Sequence, residues 1–247
     1  MNQQTVLIDA DITAYQVCVN AEVEWDWGDD VWTLHSDRAV VRGSFKEAID
    51  TIIEATEADA AILAFTGPDN FRKSVLPEYK GHRSGRKPMN YAYLKEWAAT
   101  QWDTKQIPTL EGDDVLGILG SARDDFFIYS ADKDLKTVPA MLWSNDERFV
   151  YRNSVEVADW WFMYQTLTGD TTDGYKGCPG IGPKKAEQIL GPQGQEPIEV
   201  LWQRVVEAYE SKDLTSDDAL VQARCARILR NTDYTNNEVQ LWTPPTS

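Results

Sequence analysis

The chain has 247 residues, 42% hydrophobic and 26% charged, with ten tryptophans and a formal net charge of −16. That size holds one large domain, or one domain with a smaller companion, and that composition is typical of a globular chain with an aromatic-rich core. No stretch of about 18 apolar residues exists to span a membrane. The three scattered cysteines (Cys18, Cys178, Cys225) fit neither a disulfide framework nor a thiolate zinc site, and no charged leader precedes Val6-Leu7-Ile8, so the cytoplasm is the expected location.

In chain order, Thr5 to Asp9 reads as a buried strand, and the aromatic, partly alternating stretch from Trp25 to Val41 as a hairpin. Ser44-x-x-Glu47 has the form of a capping box and is expected to open a helix with Phe45, Ala48, Ile49, Ile52 and Ile53 on one face. Ala60 to Phe65 is a second strand. Residues 72–88 are basic and broken by Pro77, Gly81, Gly85 and Pro88, a loop or partly helical cover. Helices follow at Tyr91 to Gln101 and Asp113 to Ala122, then strands at Phe126 to Ser130 and Met141 to Trp143. This alternation predicts an α/β domain with a mostly parallel sheet, whose ligands sit at the carboxyl ends of the strands. Beyond about residue 155 the pattern turns helical: Val157 to Leu167, a glycine turn at 177–182, a helix start at Pro183, and apolar stripes through Ile198 to Tyr209 and Val221 to Leu229. The tail after Tyr234 reads as irregular.

Eight acids form four clusters: Asp9; Glu111, Asp113 and Asp114; Asp132 and Asp134; Asp170 and Asp173. Three clusters end or follow apolar runs. Crowded carboxylates cannot all ionise unaided. Gathered at strand ends, they point to hard divalent cations, and two Mg²⁺ about 4 Å apart are a common device for hydrolysing phosphodiesters. Any one cluster could equally be a solvated face or a helix N-terminus; all four together are hard to explain that way. Asp11 reads as a helix cap.

Two further segments carry chemistry. Residues 72–87 hold six Lys/Arg and His82 against one acid, Glu78. A local basic patch of this kind steers phosphates despite the acidic total, and Tyr79 within it could stack on an unpaired base. Gly177-x-x-Gly180-Ile181-Gly182-x-Lys184-Lys185 places a glycine turn at a helix start, where backbone N–H groups can meet a phosphate. Such a hairpin grips duplex backbone without reading sequence. The chain has no Walker-type GK[ST] loop and no Ser-His-Asp arrangement.

In order, VLIDAD, FRKSVLPEYKGHR, EGDDVLG, SADKDL and TGDTTDGYKGCPGIGPKKA resemble the motifs of the flap endonuclease/5′-3′ exonuclease superfamily, including its phage members and the 5′-nuclease domain of bacterial DNA polymerase I. The resemblance implies a PIN-like nuclease domain over 1–155, with an arch segment at 70–90. A helical domain over 156–247 would follow, with a helix-three-turn-helix at about 165–192. It implies a structure-selective 5′-3′ exonuclease or flap endonuclease using two Mg²⁺ (Mn²⁺ substituting), with K⁺ at the glycine hairpin. Asp9, Glu111, Asp113, Asp114, Asp132, Asp134, Asp170 and Asp173 are the implied metal acids, with Asp69 as the equivalent of the acid that relatives carry soon after the second strand. Lys80 and Arg83 would hold the scissile phosphate and Tyr79 would stack. Arg72, Lys73, Arg86, Lys87, Gly180, Gly182, Lys184 and Lys185 would bind DNA. The implied partners are DNA with 5′ ends or single-strand/double-strand junctions, and a replicative polymerase or single-strand-binding protein; a phage-encoded chain would work in the host cytoplasm. The sequence departs from the family in having Asp9-Ala10 where Asp-Gly is usual, and in a short arch segment. A PIN-type ribonuclease and a catalytically inactive DNA-binding relative are the competing readings.

Overall fold

The computed structural model describes residues 3–83 and 85–245. In chain order the elements begin β1 (Thr5–Asp9), α1 (Ala10–Asn20), β2 (Glu22–Asp26), β3 (Trp32–Ser36), α2 (Arg38–Thr56), β4 (Ala60–Phe65), α3 (Arg72–Val75), α4 (Tyr91–Ala98) and β5 (Asp103–Gln106). They continue with α5 (Gly112–Ala122), β6 (Phe126–Tyr129), β7 (Met141–Ser144), β8 (Phe149–Arg152), α6 (Val155–Thr168), α7 (Pro183–Leu190), α8 (Ile198–Glu210), α9 (Ser216–Ala226), β9 (Tyr234–Thr235) and β10 (Glu238–Val239).

The main sheet has the order β5-β4-β1-β6-β7-β8, parallel throughout except for β8, which pairs antiparallel with β7. Central strand β1 is buried on both faces, which is why it reads as an unbroken apolar run. Val6 and Ile8 pack under α1, α2 and α4, while Leu7 faces α5. The helical half builds its own core from Phe162, Met163, Leu190, Leu201, Val205 and Tyr209, closed by Trp242 from the tail. The chain then returns: Ile228 and Leu229 are buried in the cluster beneath α5, with Tyr234 and Val239 packed against it. The last segment of the helical half thus completes the core beneath α5. Among the described residues no helix is long and apolar enough to cross a membrane.

Several local expectations are corrected. Helix α2 begins at Arg38, not at Ser44, because Asp37 leaves the hairpin extended and accepts the Ala39 N–H at 2.6 Å. Ser44 and Glu47 lie inside the helix. Strand β5 is an edge strand of polar sequence (Asp-Thr-Lys-Gln) and carries no alternation to read. Strand β8 was not expected either, and the tail holds the two-residue ladder of β9 and β10.

One buried ion pair ties the two halves together. Arg72, only 2% exposed, forks onto Asp114 with Nη1 and Nη2 at 2.7 and 2.8 Å. Its remaining N–H groups donate to the carbonyls of Cys225 (2.9 Å) and Arg227 (2.6 Å) at the end of α9 and to Glu111 Oε2 at 3.3 Å. Asp114 in turn accepts the Leu229 N–H at 3.1 Å. Arg72→Ala leaves Asp114 buried without its countercharge and should cost about 3–5 kcal/mol. Arg72→Met with Asp114→Leu should recover most of that loss. Urea unfolding of the two variants checks both outcomes.

Candidate active site

The carboxyl ends of the parallel strands open on a cavity of about 750 Å³. Asp9 ends β1, Thr66 to Asp69 follow β4, Asp132 follows β6, and Glu111 and Asp113 stand at the start of α5. The loop after α6 adds Asp170 and Asp173 from the helical half. Among the described residues nine acids line this space (Asp9, Asp11, Asp69, Glu111, Asp113, Asp132, Asp134, Asp170, Asp173) against five cations (Lys73, Lys80, Arg83, Lys87, Lys133), and no His or Cys.

Small polar groups fix the acids in place. Ser130 Oγ donates to Asp9 Oδ2 at 3.2 Å and accepts the Asp132 N–H at 3.0 Å. Asp132 Oδ1 accepts the Asp134 N–H at 2.8 Å, and Gln165 on α6 donates to Asp134 at 2.5 Å. Asp170 Oδ1 accepts the Thr172 N–H at 2.6 Å and so tightens its own loop. That loop rests on a contact only glycine allows. Gly169 and Gly177 both have positive φ, and a Cβ on either would lie 2.4 Å from the other's backbone nitrogen. Ser130 and Gln165 were missed from sequence. Ser130 at least lies two residues before Asp132, but nothing in the sequence of α6 points Gln165 at an acid.

The acids nearest the sheet are reluctant to ionise, chiefly because they are buried and secondly because they face other carboxylates. Asp9 is pushed up to about 6 by burial and by the Asp11 charge. Asp134 is pushed up to about 7 by burial and by Asp132. Asp113 lies well above the usual carboxylate range through burial, Asp9 and Asp132. Glu111 behaves oppositely: burial opposes its charge, but Arg72 and Lys80 outweigh that and hold its carboxyl below the usual range.

The basic segment meets the acids directly. Lys80, at a left-handed φ of +54°, sends Nζ between Glu111 and Asp173, the latter at 3.3 Å. Its backbone N–H donates to the Asp173 carbonyl at 2.7 Å. Arg83 pairs with Asp173 Oδ1 at 2.7 Å and stays half exposed at the cavity mouth.

Other expected roles need correction. Tyr79 is 2% exposed, so it has no free face for a base; its ring lies parallel to Tyr175 in the helical core. Its hydroxyl lies 3.0 Å from Glu111 Oε2 and 2.8 Å from Asp173 Oδ2, a donor shared between two carboxylates. Arg72 cannot reach DNA and Asp114 cannot reach an ion, because each is buried and occupied by the other. Asp69 is exposed on the rim, where it accepts the Asn70 N–H and faces Lys73 at 3.9 Å. Asp11 does not cap α1; it takes the Tyr91 hydroxyl, the Thr66 N–H and Lys95, fastening α1 to α4 and to the loop after β4. Lys73 and Lys87 line the cavity, whereas Arg86 is turned to Glu22. Gly180, Gly182, Lys184 and Lys185 are exposed together at the start of α7. A Cβ on Gly180 or Gly182 would meet nothing within 4 Å; the φ of +74° accounts for Gly180, whereas neither packing nor φ accounts for Gly182.

The donor chemistry suits a hard cation: carboxylates, several of them poorly ionised because they are buried beside one another, and among the described residues no soft ligand. Yet among the described residues no three acids, histidines or cysteines gather closely enough to cage an ion. The acids share a cavity, and Lys80, Arg83 and Gln165 already occupy oxygens of Glu111, Asp173 and Asp134. Tyr79→Phe keeps the ring packing but removes the shared donor, and should cost about 1–3 kcal/mol in urea unfolding. A negligible change, read on the same curve, would show that Arg72, Lys80 and Arg83 satisfy both acids without the hydroxyl.

No family model matches the chain. The exodeoxyribonuclease of Enterobacteria phage T3 is 30% identical to it, over 97% of this chain and 92% of the relative. The exonuclease of Escherichia phage T7 is also 30% identical, over 97% and 93%. A solved structure of the bacteriophage T5 flap endonuclease, in a pseudo-enzyme-product complex with DNA and metal ions, shares the fold with a TM-score of 0.56, at 18% identity and over 90% of this chain and 91% of that one. The order of the sequence motifs, the strand-end acids and the extent of these matches agree: the chain belongs to the flap endonuclease/5′-3′ exonuclease superfamily.

Proposed function

We propose that the chain is a metal-dependent 5′ nuclease that hydrolyses DNA phosphodiesters near 5′ ends and single-strand/double-strand junctions. The observation that carries this reading is the single cavity in which acids from four sequence clusters face Lys80 and Arg83. Two divalent ions, Mg²⁺ with Mn²⁺ able to replace it, would supply charge neutralisation at the phosphate and an activated water. Asp9, Asp113, Asp132, Asp134, Asp170 and Asp173, with Glu111, are the residues that would hold them. Asp9, Asp113 and Asp134 lie above the usual carboxylate range, so bound cations would also bring these buried carboxylates into their charged form.

The chain's own cations act on the phosphate. Lys80 and Arg83 are tied to Glu111 and Asp173, and both line the cavity. With Glu111 and Asp173 engaged by metal, the Lys80 ammonium and Arg83 guanidinium would be free to face the scissile phosphate. There they stabilise charge that grows in the transition state. The exposed Gly180–Lys185 turn would hold duplex backbone, with K⁺ a candidate ligand there, and would set the distance to the cut. A replicative polymerase or single-strand-binding protein would work on the same DNA.

The direct test is cleavage of 5′-labelled flap, blunt duplex and RNA substrates with and without Mg²⁺, with product sizes mapped. Preferential cutting of RNA would favour the ribonuclease reading. Asp132→Ala or Asp170→Ala should abolish cleavage while gel-shift binding persists. Lys80→Ala should lower single-turnover cleavage roughly 10²–10³-fold with a much smaller change in dissociation constant. Separately, Lys184→Ala with Lys185→Ala should weaken duplex binding whatever its sequence. It should also flatten the slope of log K against log salt by roughly 0.9 per lost contact.

A further inference from the structure

A second cavity, of about 870 Å³, adjoins the acid-lined one. Thr66, Gly67, Pro68, Lys87 and Tyr91 line both, so the two meet along a common wall. The second cavity extends over the outer side of α4, at Ala92, Tyr93 and Glu96, and over the edge strand β5. There Thr104 and Gln106, two residues apart, lie on the same face of the sheet.

Charge changes sign between the two. Among the described residues the first cavity holds nine acids to five cations, whereas the second holds Arg38, Lys87 and Lys95 to Glu96 alone. Lys95 donates to the Thr66 carbonyl at 2.9 Å and lies 3.6 Å from Asp11 Oδ1. Arg38 and Lys87 pair with no acid among the described residues and rest on rings instead. Arg38 Cζ lies 4.4 Å from the Tyr93 centroid, and Lys87 Nζ 4.7 Å from that of Tyr91. Arg38 opens α2, where a cation opposes the helix dipole, so the helix does not account for it. Asn90 holds it in place: Oδ1 accepts the Arg38 Nε–H at 3.4 Å, while Nδ2 donates to the Ser36 carbonyl at 3.1 Å.

The proposed duplex grip decides which part of a substrate reaches this cavity. The helical half supplies Asp170, Thr172 and Asp173 to the first cavity. Among the described residues it supplies nothing to the second, whose lining falls entirely within 38–106. A strand held as duplex at Gly180–Lys185 and cut at the acids therefore continues past them unpaired. Unpaired strand calls for cations along its backbone and for aromatic or guanidinium planes under its bases. Tyr79 is buried and cannot serve, whereas Tyr93 and Arg38 both line the second cavity. We infer that this cavity is the subsite for the single-stranded 5′ segment of the substrate, with Lys87 and Lys95 facing its phosphates and the Arg38–Tyr93 pair stacking a base. The inference rests on the nuclease reading, which supplies the 5′ polarity.

The test uses the full chain and one duplex carrying a short oligothymidylate overhang at its 5′ end, at its 3′ end, or none. Gel-shift binding is measured without divalent ions, so that nothing is cut. The parent should bind the 5′-overhang duplex more tightly than the other two. Tyr93→Ala or Arg38→Ala should weaken binding of that duplex roughly tenfold, the scale of one lost stack, and so bring its affinity towards that of the blunt one. Glu96→Lys, which adds a cation to the same cavity, should tighten it and steepen the slope of log K against log salt by roughly 0.7, a gain that a misfolded chain could not give. Equal losses on blunt or 3′-overhang duplex would overturn the subsite, as would a Glu96→Lys variant that gains nothing. A parent that cuts flap DNA with Mg²⁺ yet shows no preference for the 5′ overhang would overturn the subsite and leave the nuclease reading standing. A parent that cuts no DNA with Mg²⁺ would remove both.

Discussion

The pairing of Arg72 with Asp114 constrains the rest of this molecule. A buried carboxylate and a buried guanidinium are each expensive to desolvate, and together they are tolerable only if every N–H and oxygen finds a partner. Here both do, and the partners come from three places: the first turn of α5, the short helix α3, and the backbone at the end of α9. Such a pair adds little net stability compared with an apolar replacement. What it does is fix position. It sets the start of α5, and so Glu111 and Asp113, against the helical half that carries Asp170 and Asp173.

The same geometry explains why the site is crowded yet not caged. Carboxylates brought to the ends of β1, β6 and α5 repel one another, and burial raises that cost. The chain answers in two ways. Glu111 and Asp173 are satisfied internally by Tyr79, Lys80 and Arg83. Asp9, Asp113 and Asp134 are left with neutral donors or none, and these are the acids most in need of an external cation. The cations next to the acids are also the ones best placed for a phosphate, so metal and substrate would draw on one set of partners.

Hydrophobic periodicity made the scaffold legible. The unbroken apolar run of β1 requires burial on both faces, and a strand so buried belongs at the centre of a parallel sheet. The strand-helix alternation then places strand ends on one edge, which is why Asp9 and Asp132 could be read as neighbours despite lying far apart in the chain. Strand β5 was illegible because an edge strand need not alternate, and the true start of α2 because two acceptable caps, Asp37 and Ser44, compete within a few residues. The fork of Arg72 onto Asp114 was illegible for a different reason: in sequence, a buried arginine and a surface arginine look the same.

What the sequence alone determined is therefore the chemistry present and its approximate edge: acids at strand ends, a basic segment, an open glycine turn, and an order of motifs characteristic of one family. What only the tertiary structure decided is how those groups are shared out. It put Tyr79 into the core, spent Arg72 and Asp114 on each other, left Asp69 on the rim, and recruited Ser130 and Gln165 to hold Asp9 and Asp134. Composition and spacing report which side chains are close along the chain. Which carboxylate keeps a free oxygen depends on long-range partners, and those exist only once the two halves have packed.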